Sequence, residues 1–113
     1  MHEIGLLYQT AKTASRFAQE HEIERIYAIE LEIGELTGVL PDVFKEYFPY
    51  VAGQFPVLKD AVLKLDMIEA RGICEQCHAV YNIMKHRGIC PNCGSSEKMI
   101  LGGNQMLIRQ IEY

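Results

Sequence analysis

Apolar and small residues recur at three- and four-residue steps through Ile4, Leu7, Ala11, Ala14 and Ala18, which draws one face of a helix running to about His21. The period then changes. Between Arg25 and Gly34, Ile29, Leu31 and Ile33 alternate with Glu30 and Glu32, the pattern of a strand with one buried face and one wet, acidic face. Gly34 to Gly38 reads as a turn, and Pro41 suits the first turn of a second helix. Phe44, Tyr47, Phe48 and Val51 supply the buried face of that helix, which Gly53 and Pro56 end. From Val62 to Ala70, Leu63, Leu65 and Met67 alternate with Lys64 and Asp66, a second strand. A third, with weaker alternation, runs from Gln105 to Tyr113. Phe55, Pro56, Val57 and Leu58 read as a loop folded onto the core rather than as a contact patch, and Glu30 and Glu32 as a solvated face.

These elements predict an α/β chain: a small three-stranded sheet with two helices, and a cysteine-bearing module inserted between the second and third strands. The predicted domains are residues 1–70 with 101–113, which are discontinuous, and residues 71–100. At 113 residues, 49% of them hydrophobic, the chain is expected to form one domain, or one domain with a small appendage. A core of that size leaves little margin, so a metal cross-link would help any lobe that buries little apolar surface.

A formal net charge of -4 argues against a general nucleic-acid binder, which carries a basic face. Nothing in the sequence approaches the ~18–20 consecutive apolar residues that cross a bilayer, and Met1-His2-Glu3-Ile4-Gly5 lacks the basic and apolar regions of a signal peptide. The expectation is a cytoplasmic protein whose thiols stay reduced.

All four cysteines fall in two knuckles, Cys74-Glu75-Gln76-Cys77 and Cys90-Pro91-Asn92-Cys93-Gly94. In a reducing compartment this spacing points to metal rather than to disulfides. Zinc(II) takes four soft ligands in a tetrahedron, and thiolates supply both softness and charge. Two cysteines two residues apart place both sulfurs on one ion, and the second pair closes the shell. A closed shell is structural, because a catalytic zinc keeps one position open. Gly94 suits a turn with positive φ, and Gly72 and Gly88 precede the two knuckles at the same offset. His78 and His86 read first as solvated or as hydrogen-bond partners of a sulfur. The alternative is that one of them replaces a cysteine when pH or metal loading changes.

The opening triplet carries a different chemistry. His2 is bulky, so Met1 is expected to be retained with a free amine. That amine, the deprotonated amide of His2 and the His2 imidazole form two fused chelate rings, a tetragonal nitrogen set of the kind nickel(II) and copper(II) prefer. The fourth corner falls to the Glu3 carboxylate, to water or to a partner, and an arrangement using the Glu3 amide is also open. Taken alone, such a start reads first as a frayed, solvated terminus.

Together, Met1-His2-Glu3, the run Leu31-Glu32-Ile33-Gly34-Glu35-Leu36-Thr37-Gly38-Val39, the two Cys-x-x-Cys knuckles and the closing Ile108-Arg109-Gln110-Ile111-Glu112 resemble the HypA/HybF family. These are hydrogenase maturation factors that act as nickel metallochaperones, and the resemblance covers essentially the whole chain. It implies an α/β nickel domain, nickel(II) as cargo on Met1, His2 and Glu3, and a structural zinc(II) on Cys74, Cys77, Cys90 and Cys93. It further implies a partnership with the nickel-handling GTPase HypB, delivery to the large subunit of a [NiFe]-hydrogenase, and in some relatives a link to urease maturation. Many members carry an acidic residue where Leu40 stands, with Asp42 two residues later here, so no acidic nickel ligand is expected from this loop. Members also often have glutamate where this chain has Gln105.

The rival reading is a zinc-ribbon module that binds nucleic acid or a transcription component. That function needs basic residues interleaved with aromatics, and in the cysteine segment only Tyr81 qualifies. A zinc hydrolase is excluded by the lack of a convergent acid, base and open metal position, so a non-enzyme is expected.

Overall fold

The periodicity of the first twenty residues forms helix α1, His2–Glu20, in a computed structural model that describes residues 2–113 without the His2 side chain. Leu7, Ala11, Ala14 and Ala18 are buried along one stripe of α1, and three alanines in that stripe let another helix approach closely. The helix stops without glycine. Glu22 takes φ 55, the Ile23 N–H reaches back to the Ala18 carbonyl at 2.8 Å, and the Glu22 N–H reaches that of Gln19. This reciprocal closure satisfies carbonyls that the last turn leaves unpaired, with a glutamate in the left-handed position glycine usually fills.

Strand β1, Ala28–Gly34, buries Ile29, Leu31 and Ile33 and leaves Glu30 and Glu32 half-buried, as alternation demands. Helix α2, Pro41–Ala52, opens on proline, whose missing N–H has no helical partner at that position in any case. It buries Phe44, Phe48, Val51 and Ala52 against α1. Pro49 lies inside its last turn, where it removes the bond to the carbonyl of the exposed Lys45, a group that water can reach. Leu58 is fully buried and Phe55 packs its ring 5.6 Å from that of Tyr8, so the 55–58 segment folds onto the core as expected.

Strands β2, Val62–Ile68, and β6, Met106–Glu112, flank β1 in a three-stranded sheet of order β2-β1-β6. The Tyr27 N–H bonds Glu112 and the Gly34 N–H bonds Gln105, so β6 runs antiparallel to β1. The solvated face carries Lys64 paired with Glu112 at 2.8 Å and Arg109 with Asp66 at 3.0 Å. The Lys64 ammonium is held above its ordinary pKa by that hydrogen bond and by the Glu112 charge. Such exposed pairs contribute roughly 0–1 kcal/mol each, against about 1.5–3 kcal/mol for each fully buried Leu, Ile or Phe. The apolar face therefore decides the fold.

Three further strands, which the alternation pattern does not predict, make a second sheet. β3, Arg71–Cys74, lies between β4, Val80–Asn82, and β5, Lys98–Gly102, both antiparallel to it. Gly72 sits opposite Tyr81 and Ile100, and a Cβ there would press on the Ile83 side chain at 3.1 Å.

The chain divides into two compact units. One holds the chain up to Leu31, Val39–Asp66 and Leu107–Tyr113. The other holds Glu32–Gly38 and Met67–Met106. The second contains the 71–100 segment and adds to it both flanks and an arm from the end of β1.

Within that second unit the backbones of Gly34, Ala70 and Gly103 crowd together. A Cβ on Gly34 would overlap the Gly103 carbonyl, and one on Gly103, which has φ 93, would meet the Ala70 Cα at 2.5 Å. Gly103→Ala is therefore expected to destabilise the protein by about 2–4 kcal/mol in chemical denaturation. Gly5→Ala, in exposed helix with open space at its Cβ, is expected to stabilise it by about 0.5–1 kcal/mol. Equal effects of the two substitutions would contradict this account of the crossing.

Candidate metal centre

β3 ends on Cys74, and the chain turns through the first knuckle and returns as β4, so the knuckle is itself the hairpin turn. The second knuckle lies in the irregular stretch before β5. The two turns share one hydrogen-bond pattern. Cys74 N–H donates to Ala79 and Cys90 N–H to Ser95, while His78 N–H donates to Cys74 and Gly94 N–H to Cys90, all at 2.9 Å. The residue four positions after the first cysteine needs positive φ in both: 80 at Gly94 and 64 at His78. His78 thus stands in a glycine's place, and its backbone role is set by the turn.

This geometry brings all four sulfurs within 4.8 Å of one another. Cys74 and Cys93 approach to 3.5 Å, as do Cys77 and Cys90, so each close pair takes one sulfur from each knuckle. A disulfide needs about 2.05 Å, and all four cysteines are free. A tetrahedral zinc with bonds of about 2.3 Å would hold its sulfurs about 3.8 Å apart. The cluster therefore fits a four-thiolate zinc, which when bound supplies a structural cross-link between the knuckles. Cys74 and Cys90 are buried, Cys77 is half-buried and Cys93 lies at the exposed rim.

Electrostatics among the thiols favour a cation. The Asn92 side chain, the Ala79 amide and neighbouring thiols draw Cys77 down to about 6 despite some desolvation. Amides of Cys77 and Gln76, with the Cys93 thiol, lower Cys74 against burial. The Ser95 amide pulls Cys93 down, but the Cys74 thiol, burial and the remaining thiols outweigh it and push Cys93 up to about 12. Four thiolates cannot ionise together so close without a positive charge between them, and metal binding must expel the remaining protons. Affinity accordingly falls as pH falls.

Around the sulfurs, Tyr81 is buried, donates its hydroxyl to the Gly88 carbonyl at 3.3 Å, and is held above its ordinary pKa by burial and by the thiols. The one aromatic that a nucleic-acid ribbon would need for stacking is thus packed in the core. His86 lies edge-on to Tyr81, 6.1 Å between centroids, and His78 is exposed. Among the described residues, the metal-binding cluster consists of the four cysteines alone. Asn92, which sequence reading passed over, could have been found from its place inside the second Cys-x-x-Cys.

Of the N-terminal triplet, Met1 and the His2 side chain lie outside the described residues. Glu3 sits half-buried in the first turn of α1, Leu40 is exposed just before α2 and Asp42 lies in the first turn of α2. Among the described residues no helix is long and apolar enough to cross a membrane.

Comparison with known proteins places this architecture. The sequence matches, over residues 1–113, the family described as "Hydrogenase/urease nickel incorporation, metallochaperone, hypA". Hydrogenase maturation factor HypA of Francisella philomiragia is 34% identical over 113 residues, covering 100% of this chain and 99% of that protein. Hydrogenase maturation factor HybF of Klebsiella pneumoniae is 31% identical over 112 residues, covering 99% and 98%. In fold, the chain is similar to a HypA protein solved in solution, with TM-score 0.70, 24% identity and coverage of 99% and 95%. It is also similar to the nickel metallochaperone HypA from Helicobacter pylori, with TM-score 0.58, 24% identity and coverage of 93% and 94%. The α/β architecture with a separate four-cysteine lobe agrees with these neighbours. The chain belongs to the HypA family of hydrogenase and urease nickel-incorporation metallochaperones, proteins that handle metal for other proteins and are not enzymes.

Proposed function

We propose that this chain carries nickel(II) on Met1, His2 and Glu3 and keeps a structural zinc(II) on Cys74, Cys77, Cys90 and Cys93. It delivers the nickel in the cytoplasm, with the GTPase HypB, to the large subunit of a [NiFe]-hydrogenase. Residues 1–70 and 101–113 form the nickel-binding domain in this reading, and residues 71–100 the zinc-binding domain. The observation that carries the proposal is the family match across the whole chain, the opening triplet included.

The local physics supports a nickel site at the start of α1. The first four N–H groups of a helix have no intrahelical acceptor, and α1 begins at His2. Giving up the His2 amide proton to nickel therefore breaks no helical hydrogen bond. An amidate and the Glu3 carboxylate together neutralise a dication, so the positive end of the helix dipole does not oppose the complex. Leu40 offers no donor atom, and the ligand set rests on the triplet.

Calorimetry with nickel(II) on the zinc-loaded, untagged protein tests this. One tight site is expected, and it should be lost in His2→Ala and in a variant with one residue added before Met1, both retaining zinc. Nickel affinity should fall as pH drops toward about 6.5, because a protonated imidazole cannot ligate. Unchanged nickel binding in both variants would move the site away from the terminus. Transfer of bound nickel to hydrogenase large subunit in the presence of HypB and GTP is the expected delivery result, with urease maturation proteins assayed in parallel as the other recipient the family match allows.

The zinc assignment has its own test. Cys74→Ser, at a fully buried position, is expected to abolish zinc retention and amide protection in β3 and β4. Cys93→Ser, at the exposed rim, should bind zinc more weakly yet fold in excess metal. Structural zinc contributes of order 10–16 kcal/mol in small domains, so full protection of β3 and β4 in metal-free protein would refute a structural role.

A further inference from the structure

The segment Glu32–Gly38 is distant in sequence from the cysteines, yet it belongs to the same compact unit. Beyond the strand pairing of residues 32–34, hydrogen bonds and an apolar contact tie it to the rest of that unit. The Gly34 N–H bonds the Gln105 carbonyl at 2.8 Å, and the Leu36 N–H bonds the Gly103 carbonyl at 2.7 Å. The Glu35 carboxylate accepts the Ala70 N–H at 2.8 Å, and the same oxygen lies 3.5 Å from the Asn82 amide nitrogen. Leu36 packs against the buried cluster of Ala70, Cys74, Tyr81, Ile83 and Cys90.

The position of Glu35 is what gives this arm a role. Ala70 immediately precedes β3, the strand that ends on Cys74, and Asn82 ends β4. One carboxylate oxygen therefore touches the start of β3 and the end of β4, at the root of the hairpin whose turn is the first metal knuckle. Asn82 is itself held, donating to Glu69 at 2.9 Å and accepting from the Lys85 N–H at 2.7 Å. Two of the five members of the cluster that seats Leu36 are cysteines of the metal centre. Take the cation away, and the residues that receive Leu36 and Glu35 lose their fixed positions together.

We infer that Glu35 is a clasp that fastens residues 32–38 only while the zinc lobe is loaded, so that zinc occupancy orders the end of β1. The inference rests on the reading of the four cysteines as a zinc site. Linkage makes the coupling reciprocal: whatever factor by which zinc favours the clasped arm, the clasp favours zinc by the same factor. Glu35 is thus a positioning residue that touches no metal.

Hydrogen exchange read residue by residue, with zinc content and zinc affinity measured on the same samples, tests it. On zinc removal, the Gly34, Leu36 and Ala70 amides are expected to lose about a hundredfold or more of their protection. The Ile26 and Tyr27 amides, bonded to Val57 and Glu112 inside the other unit, should hold theirs and show that the rest of the chain stays folded. In zinc-loaded Glu35→Ala, the Leu36 and Ala70 amides should exchange about tenfold faster, and zinc affinity in chelator competition should fall by a similar factor. Glu35→Gln keeps an oxygen that can accept the Ala70 N–H, so it should recover most of both. Zinc bound with unchanged Leu36 and Ala70 exchange on its removal would overturn the clasp alone. Absence of any bound zinc would overturn the zinc reading and the clasp with it. Loss of Ile26 and Tyr27 protection together with that of the arm would also count against a local device.

Discussion

Four sulfur atoms within 4.8 Å of one another set the terms for the second unit. Left without a cation they pull against each other, one thiol drawn down to about 6 and another pushed up to about 12. A dication removes that conflict and converts four competing groups into one rigid cross-link. The small size of the surrounding core makes the cross-link decisive. Its buried cluster has five members, Cys74 and Cys90 among them, and the sheet beside it is built from strands of four, three and five residues. Apolar burial on that scale offsets little backbone entropy. The first unit has no such dependence, since α1 and α2 bury whole apolar faces against each other and β1 buries Ile29 and Leu31 completely.

What could be read in the chain beforehand follows from how each element is buried. α1, β1 and α2 each bury one face, so each writes its period into the residues, while β2 buries only Leu63 and leaves Met67 exposed, and β6 has half-buried and exposed positions only, in keeping with its weaker alternation. β3, β4 and β5 write no such period. Gly72 leaves a gap in β3 where the Ile83 side chain closes in, and Met99, Ile100 and Leu101 are all exposed on β5, so nothing alternates. The Cys-x-x-Cys spacing was legible because metal geometry is local. The arm was not, because its bonds join Glu35 to residues 35 and 47 positions away, and a carboxylate accepting a distant amide leaves no trace in a sequence pattern. Glu22 and His78, both with positive φ where glycine is the usual signal, were equally silent.

Two metals place opposite demands on a protein of this kind, and its two ends of the metal scale answer them separately. A metal that is kept should be enclosed, multiply bonded and necessary to the fold. The cysteine centre suits that demand, with backbone amides aimed at its sulfurs and two of its four cysteines in the core. A metal that is handed on should be reachable and should leave without unfolding its carrier. The start of a helix suits that need, because its first N–H groups are unclaimed by the helix and take no part in its stability.

The same reasoning explains why a carrier built on the proposed plan keeps its two ligand sets apart. A thiolate set tight enough to hold zinc through the life of the protein would also bind nickel, since the intrinsic affinity order of divalent ions at a given site does not by itself single out zinc. Selectivity then has to come from shape. Four thiolates converging from two rigid knuckles impose a tetrahedron, while an amine, an amidate and an imidazole from adjacent residues impose a plane. Neither geometry can be reached from the other by small adjustment. Under the proposed nickel assignment, a planar set at a helix start lets nickel come and go while the tetrahedral set goes on holding the second unit together.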